Sequence, residues 1–105
     1  MPQAATATAP DSVKADPKHY KVEFENNKVR IVRISYAPHE KSAMHSHPAG
    51  AIVSLTDQRA RFNLPNGTSQ EVQLKAGQTA WMDATTHLPE NLTGEPFELI
   101  YVEVK

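Results

Sequence analysis

The sequence predicts an all-β domain, built as a sandwich, a barrel or a jelly roll. Short apolar runs with the two-residue alternation of a half-buried strand recur along most of the chain. All four glycines, at positions 50, 67, 77 and 94, fall between those runs, where turns need them. No window of eleven or more residues keeps the stripe of an amphipathic helix.

The elements follow in order. Residues 1 to 18 hold mainly Ala, Thr, Pro, Ser, Asp and Lys, with Pro2, Pro10 and Pro17. Little there can be buried, so this segment is expected to be a flexible arm, with residues 19 to 105 forming the barrel domain. Tyr20, Val22 and Phe24 alternate with Lys21, Glu23 and Glu25, and Asn26-Asn27 supplies a turn. Residues 28 to 36 are β-branched and interleaved with Arg30 and Arg33. Their apolar positions run 29, 31, then 32, 34, 36, and the change of parity predicts a bulge in this strand. Residues 51 to 55 are a short buried run. Residues 59 to 64 and 69 to 74 flank Asn66-Gly67, a strong hairpin signal. Strands over 78 to 82, 87 to 92 and 97 to 104 complete the set, seven or eight in one domain without solenoid repeats.

A chain of 105 residues suffices for one core. Lys and Arg number 11 and Asp and Glu 12, for a formal charge of -1, which offers no electrostatic footprint for nucleic acid or an anionic membrane. The absence of cysteine excludes disulfides, thiolate ligands and a cysteine nucleophile, so any metal must be held by nitrogen or oxygen. No stretch approaches the ~20 apolar residues of a membrane helix. Residues 1 to 10 have neither the basic start nor the apolar centre of a signal peptide, which favours the cytoplasm, with the periplasm open if a leader has been removed.

The candidate chemistry lies in "MHSHPAGAIVSL". On a strand, residues i and i+2 point the same way, so His45 and His47 project together. Two neighbouring imidazoles in a dry interior resist protonation, by desolvation and mutual repulsion, but can both offer lone pairs to a cation. Parity carried forward makes Ala49, Ala51, Val53 and Leu55 the inward row. His87, at the head of another strand, is the third candidate ligand. Three imidazoles leave open positions on a divalent ion, as catalytic sites do. The competing reading is that these are polar residues on surface turns. His19 and His39 read as plain surface residues. Tyr36, Met44, Ala51, Trp81 and Tyr101 are candidates to line the cavity, and all five suit an ordinary core or interface as well.

These residues resemble the cupin superfamily over about positions 20 to 105. "MHSHPAGAIVSLTDQ" supplies His45 and His47 to a first motif, and "GQTAWMDATTHLPEN" supplies Gly77, His87 and Asn91 to a second. The resemblance implies a double-stranded β-helix barrel, one divalent metal (iron, zinc, nickel, copper or manganese) on the histidines, and a homodimer. The departures are specific. Ala51 or Gly50 stands where the family has a glutamate ligand, and His39 and Gln58 replace glycines of the first motif. Asp83 and Thr85 occupy the second motif's proline and glycine positions, and one residue is missing before His87. Asn91 shares parity with His87 and is expected to orient it, Glu90 should point away, and Glu40 could reach back from its loop.

Without the carboxylate, three neutral imidazoles leave a divalent charge uncompensated. Such a site favours a small anionic chelating partner, and three-histidine cupins of similar pattern include dioxygenases. The expectation is a dioxygenase-like, metal-dependent oxidoreductase. The alternatives are a binding module without turnover and a metal-free isomerase using a histidine base.

Overall fold

The computed structural model describes residues 9–105. Among them, one short helix, α1 (Ser12–Ala15), precedes nine strands: β1 (Tyr20–Glu25), β2 (Val29–Tyr36), β3 (His45–His47), β4 (Gly50–Ser54), β5 (Gln58–Asn63), β6 (Ser69–Leu74), β7 (Thr79–Met82), β8 (Thr85–Asn91) and β9 (Phe97–Val104). They form two antiparallel sheets, ordered β1-β2-β9-β4-β7 and β3-β8-β5-β6. Local chemistry sets the hairpins. Asn26 Oδ1 accepts from Lys28 N (2.8 Å) and Val29 N (2.9 Å), which closes the β1–β2 turn. Gly67, at φ 88°, takes the left-handed conformation in the β5–β6 loop.

The inner faces of the sheets meet in one core. Val32, Ile34 and Tyr36 of β2 pack with Phe97, Leu99 and Tyr101 of β9 and Ile52 of β4, opposite Ala60 and Leu74 of β5 and β6. Each fully buried aliphatic or aromatic side chain contributes about 1.5–3 kcal/mol by leaving water. The expected all-β jelly roll is therefore the observed architecture.

Three local expectations are corrected. The bulge lies in β1: β2 pairs with β9 without interruption, whereas Glu23 is the extra residue between Val22, opposite Val32, and Phe24, opposite Ile31. Val29 and Ile31 stay on the outer face of the sheet. The inward row after the histidines also differs. Pro48 and Ala49 separate two strands in different sheets, and Gly50, Ile52 and Ser54 are the buried residues of β4, while Ala51 and Val53 are half-buried and Leu55 is exposed. Gly50 fixes the new parity. A Cβ there would lie 2.2 Å from Val102 O and 2.6 Å from Tyr101 Cε1, so only glycine fits.

The third correction concerns the arm. Residues 1–8 of the expected arm lie outside the described residues, but the residues that follow are built into the barrel. Pro10 O accepts from Ser46 N at 2.8 Å, and Asp11 forms a parallel bridge with Ser46, covering the edge of β3. Asp11 also caps α1 through Val13 N (3.1 Å) and accepts from Arg30 Nη2 (2.7 Å). Arg30 in turn pairs with the buried Glu103 at 2.7 Å. A composition poor in large apolar residues concealed this, because the segment is held by backbone bonds and charge.

Candidate metal centre

β3 and β8 are neighbours, and their register sets His45 directly opposite His87, with His47 opposite Thr85. Residues directly opposite on an antiparallel pair share a face, and so do residues two apart on one strand. All three rings therefore enter the barrel together. Ring centroids stand 4.9 Å apart for His45–His87, 4.7 Å for His47–His87 and 5.7 Å for His45–His47. One nitrogen from each ring lies within 4.8 Å of the others, and all three residues are buried. His47 Nε2 and His87 Nε2 are 2.8 Å apart.

Hydrogen bonding assigns the tautomers of two rings. His45 Nδ1 faces Ala43 O at 2.9 Å, an acceptor only, so Nδ1 carries the hydrogen and Nε2 the lone pair. Ser42 Oγ stands 3.0 Å from the same nitrogen. The Tyr101 hydroxyl donates to Pro48 O, which leaves its oxygen to accept from His47 Nδ1 at 3.1 Å. His47 Nε2 is therefore also a lone pair pointing inward. His45 Nε2 and His87 Nδ1 are buried with no hydrogen-bond partner. Leaving a buried polar nitrogen unpaired costs about 1–3 kcal/mol, which makes an external partner favourable at His45 Nε2; His87 faces the cluster through Nε2, so its Nδ1 is not the nitrogen an ion there would take.

Burial holds all three imidazoles neutral. Desolvation lowers the His45 pKa, brings His47 down to about 4 with help from the neighbouring His45, and brings His87 down to about 2 with help from both. Neutral imidazole is the form that ligates metal. A nitrogen–metal distance of about 2.0–2.1 Å sets adjacent ligand nitrogens roughly 3 Å apart, close to the observed 2.8 Å pair. The residues thus fit one divalent ion on His45, His47 and His87.

No carboxylate joins the cluster among the described residues. Glu40 turns to Lys18 (2.5 Å), to Ala37 N (2.9 Å) and to His19 (2.9 Å), which together hold its pKa at about 2. Glu90 lies on the opposite parity of β8 and approaches Arg61 at 3.9 Å. An ion on these ligands would keep its full charge.

Several sequence expectations are corrected here. Asn91 does not orient His87: its Nδ2 donates to Ala37 O (3.2 Å) and Glu95 O (2.8 Å), and its Oδ1 accepts from Thr93 N (2.9 Å), so it closes the β8–β9 turn four positions along the strand. Trp81 is 60% exposed on the outer face, and Ala51 pairs with it there, because the break at Pro48 reverses the parity of β4. Met44 is half-buried and does not line the inner cavity. His19 is buried rather than superficial, stacked on Tyr36 with centroids 4.3 Å apart and bonded to Asp16 at 2.5 Å. His39 is exposed, as expected.

Tyr36 and Tyr101 do line an inner cavity of about 40 Å³, together with His47, His87, Phe62, Met82 and mostly aliphatic residues. Phe62 and Met82 were not singled out in the sequence, although the alternation of "RARFNL" places Phe62 on the inner face. Ser42 and the Ala43 carbonyl had no sequence signal. The Phe62 ring meets His87 edge-on at 4.4 Å. The arrangement offers three neutral nitrogen ligands beside a small apolar space.

No protein-family model matches the sequence, and no curated protein matches it closely. Solved structures do match. A cupin domain from Bordetella pertussis superposes with a TM-score of 0.75 at 20% identity, over 92% of this chain and 96% of that one. An uncharacterised Klebsiella pneumoniae protein with a double-stranded β-helix domain gives 0.61 at 27% identity, over 79% and 72%. An oxalate oxidase in complex with the substrate analogue glycolate gives 0.53 at 15% identity, over 70% of this chain and 40% of that one. The barrel, with nine strands among the described residues and three inward histidines, has the double-stranded β-helix fold of these cupin-type domains.

Proposed function

We propose that this chain binds one divalent metal ion on His45, His47 and His87 and acts as a dioxygenase-like oxidoreductase on a small anionic chelating molecule. The observation that carries this reading is the convergence of three buried, neutral imidazoles beside an apolar cavity, with His45 Nε2 unpartnered and the Nε2 atoms of His47 and His87 facing each other. When bound, the ion would supply Lewis acidity and a template holding two small ligands side by side. The protein's own residues do the rest. Ala43 O and the Tyr101 hydroxyl hold the hydrogens of His45 and His47 on Nδ1, so both Nε2 atoms face inward. Ile34, Ile52 and Leu99 exclude water and strengthen charge interactions at the histidines. With no ligand carboxylate, a negative partner is the favoured counter-charge. Glycolate, the ligand named for the oxalate oxidase of similar fold, is such an anion.

A second reading, a binding module without turnover, is favoured by the absence of any carboxylate among the residues lining the inner cavity. Iron-loaded protein separates the two. Oxygen consumption with at least one member of a panel of diketones, thiols, catechols and hydroxy acids supports the enzyme. Ligand-induced spectral change with no oxygen uptake from any of them supports the binding module.

The partner we propose besides the small molecule is a second copy of the chain. Phe24, Ile31, Val102, Ala51 and Trp81 are cross-strand neighbours across all five strands of the larger sheet and form an apolar row on its outer face. Arg33, flanked by Glu23 (2.5 Å) and Glu98 (3.4 Å), borders that row with charges of both signs. A two-fold axis can pair such a border with itself.

A further inference from the structure

Behind a single pair of side chains, the inner cavity is adjacent to a groove on the outside of the barrel. That groove, of about 200 Å³, is lined by Phe62, Met82, Leu64, Gln70, Asp83 and Thr85. Phe62 and Met82 line the inner cavity as well. Both stand at the histidine end: the Phe62 ring is 4.4 Å from that of His87, Met82 pairs with Gly50, and Thr85 on the groove side pairs with His47.

We infer that Phe62 and Met82 form the door to the metal site and set the girth of the molecule that reaches it. This rests on the metal reading above. Other residues shared by the inner cavity and surface grooves are more deeply buried. Tyr36 and Phe97 on one side, and Gln58 and Leu74 on another, are buried, and the Tyr36 hydroxyl is bonded to that of Tyr20 at 2.7 Å. Phe62 and Met82 are half-buried, with one side toward solvent. Met82 ends β7, and Phe62 sits next to the last residue of β5, where strands give way to turns. Methionine is unbranched and adaptable, so it can move aside without disturbing the sheet.

Size gives the door its meaning. A water needs roughly 10–15 Å³ of such space, so a cavity of about 40 Å³ admits about three water-sized atoms. With the door shut, diatomic and triatomic ligands fit against the histidines. An organic anion with a ring requires Phe62 or Met82 to swing into the outer groove.

The test uses cobalt(II)-loaded full-length protein, whose visible bands report ligand binding without any turnover. Azide and benzoate are both monoanions and differ in girth. Phe62→Ala and Met82→Ala should each speed benzoate association at least about tenfold while changing azide by less than about twofold, and Phe62→Trp should slow benzoate. Phe62→Leu provides a milder change should the alanine variant fail to fold. Equal benzoate rates across all the variants, or no benzoate binding in any of them, would overturn the door while leaving the metal site intact. A protein that takes up no cobalt would overturn both.

Discussion

At the scale of single residues, the Tyr101 hydroxyl sets how the His47 ring presents itself. It donates to Pro48 O and accepts from His47 Nδ1 at 3.1 Å, which turns His47 Nε2 inward as a lone pair. Removing such an orienting partner typically costs about 10–100-fold in metal affinity. Tyr101→Phe should therefore weaken metal binding by about that factor while the fold is retained, as measured by competition with a chromophoric chelator. An unchanged affinity would show that the hydroxyl plays no such part. The depressed histidine pKa values have a consequence of definite sign. In the unfolded chain these groups protonate near 6.5, whereas in the fold His47 does so only at about 4 and His87 at about 2. The unfolded state thus takes up more protons as pH falls, and the metal-free domain is stable above about pH 6.5 and loses stability as pH drops toward 4. Denaturant midpoints across that window, compared with those of His47→Phe, test this, and a variant with the same slope as the parent contradicts it. His45 and His47 were legible in the sequence because positions two apart share a face by strand geometry alone. The role of Tyr101 was not, since it meets His47 across 54 residues of sequence and only the sheet register brings them together.

At the scale of elements, the decisive feature is the break at Pro48 and Ala49. β3 joins the smaller sheet and β4 the larger, so the chain crosses the barrel immediately after delivering its two histidines. Strand parity read straight through this break misplaced Ala51, because no periodic signal marks where a strand changes sheet. Gly50 is the visible trace of the crossing. Gly50→Ala should cost at least about 1–3 kcal/mol by overpacking against Val102 O and Tyr101, read as a shift in the urea midpoint. The N-terminal segment makes a comparable point. It closes the edge of β3 and links Asp11, Arg30 and the 2%-exposed Glu103. Arg30→Met strands a buried carboxylate and should cost about 3–5 kcal/mol, whereas the double variant Arg30→Met/Glu103→Leu should recover much of the loss. A double variant no more stable than the single one would show that the pair is not what matters there. Short polar segments bound by charge and backbone carry no hydrophobic period, so composition alone assigned these residues to the flexible arm.

At the scale of the whole molecule, the barrel separates two tasks. Its inner face gathers the histidines, and its outer face carries the apolar row from Phe24, 52% exposed, to Trp81, 60% exposed. A proposed two-fold dimer buries that row. Phe24→Lys/Trp81→Lys should then sediment as a monomer with the metal site unaffected, and a parent protein that is already monomeric at all concentrations would exclude the dimer. The fold class was legible because nearly every strand announced itself by alternation and by Gly67, Gly77 and Gly94 between runs, whereas Gly50, expected in a turn, opens β4. The site was legible only as a possibility, since His87 needed the barrel to meet the pair at 45 and 47. The most direct measurement is the metal content of protein purified without nickel affinity and then dialysed against low metal. About one divalent ion per chain is expected in the parent and almost none in His87→Ala. A parent protein free of metal after incubation with iron, zinc, nickel, copper and manganese, or a His87→Ala variant that retains its ion, would contradict the three-histidine centre.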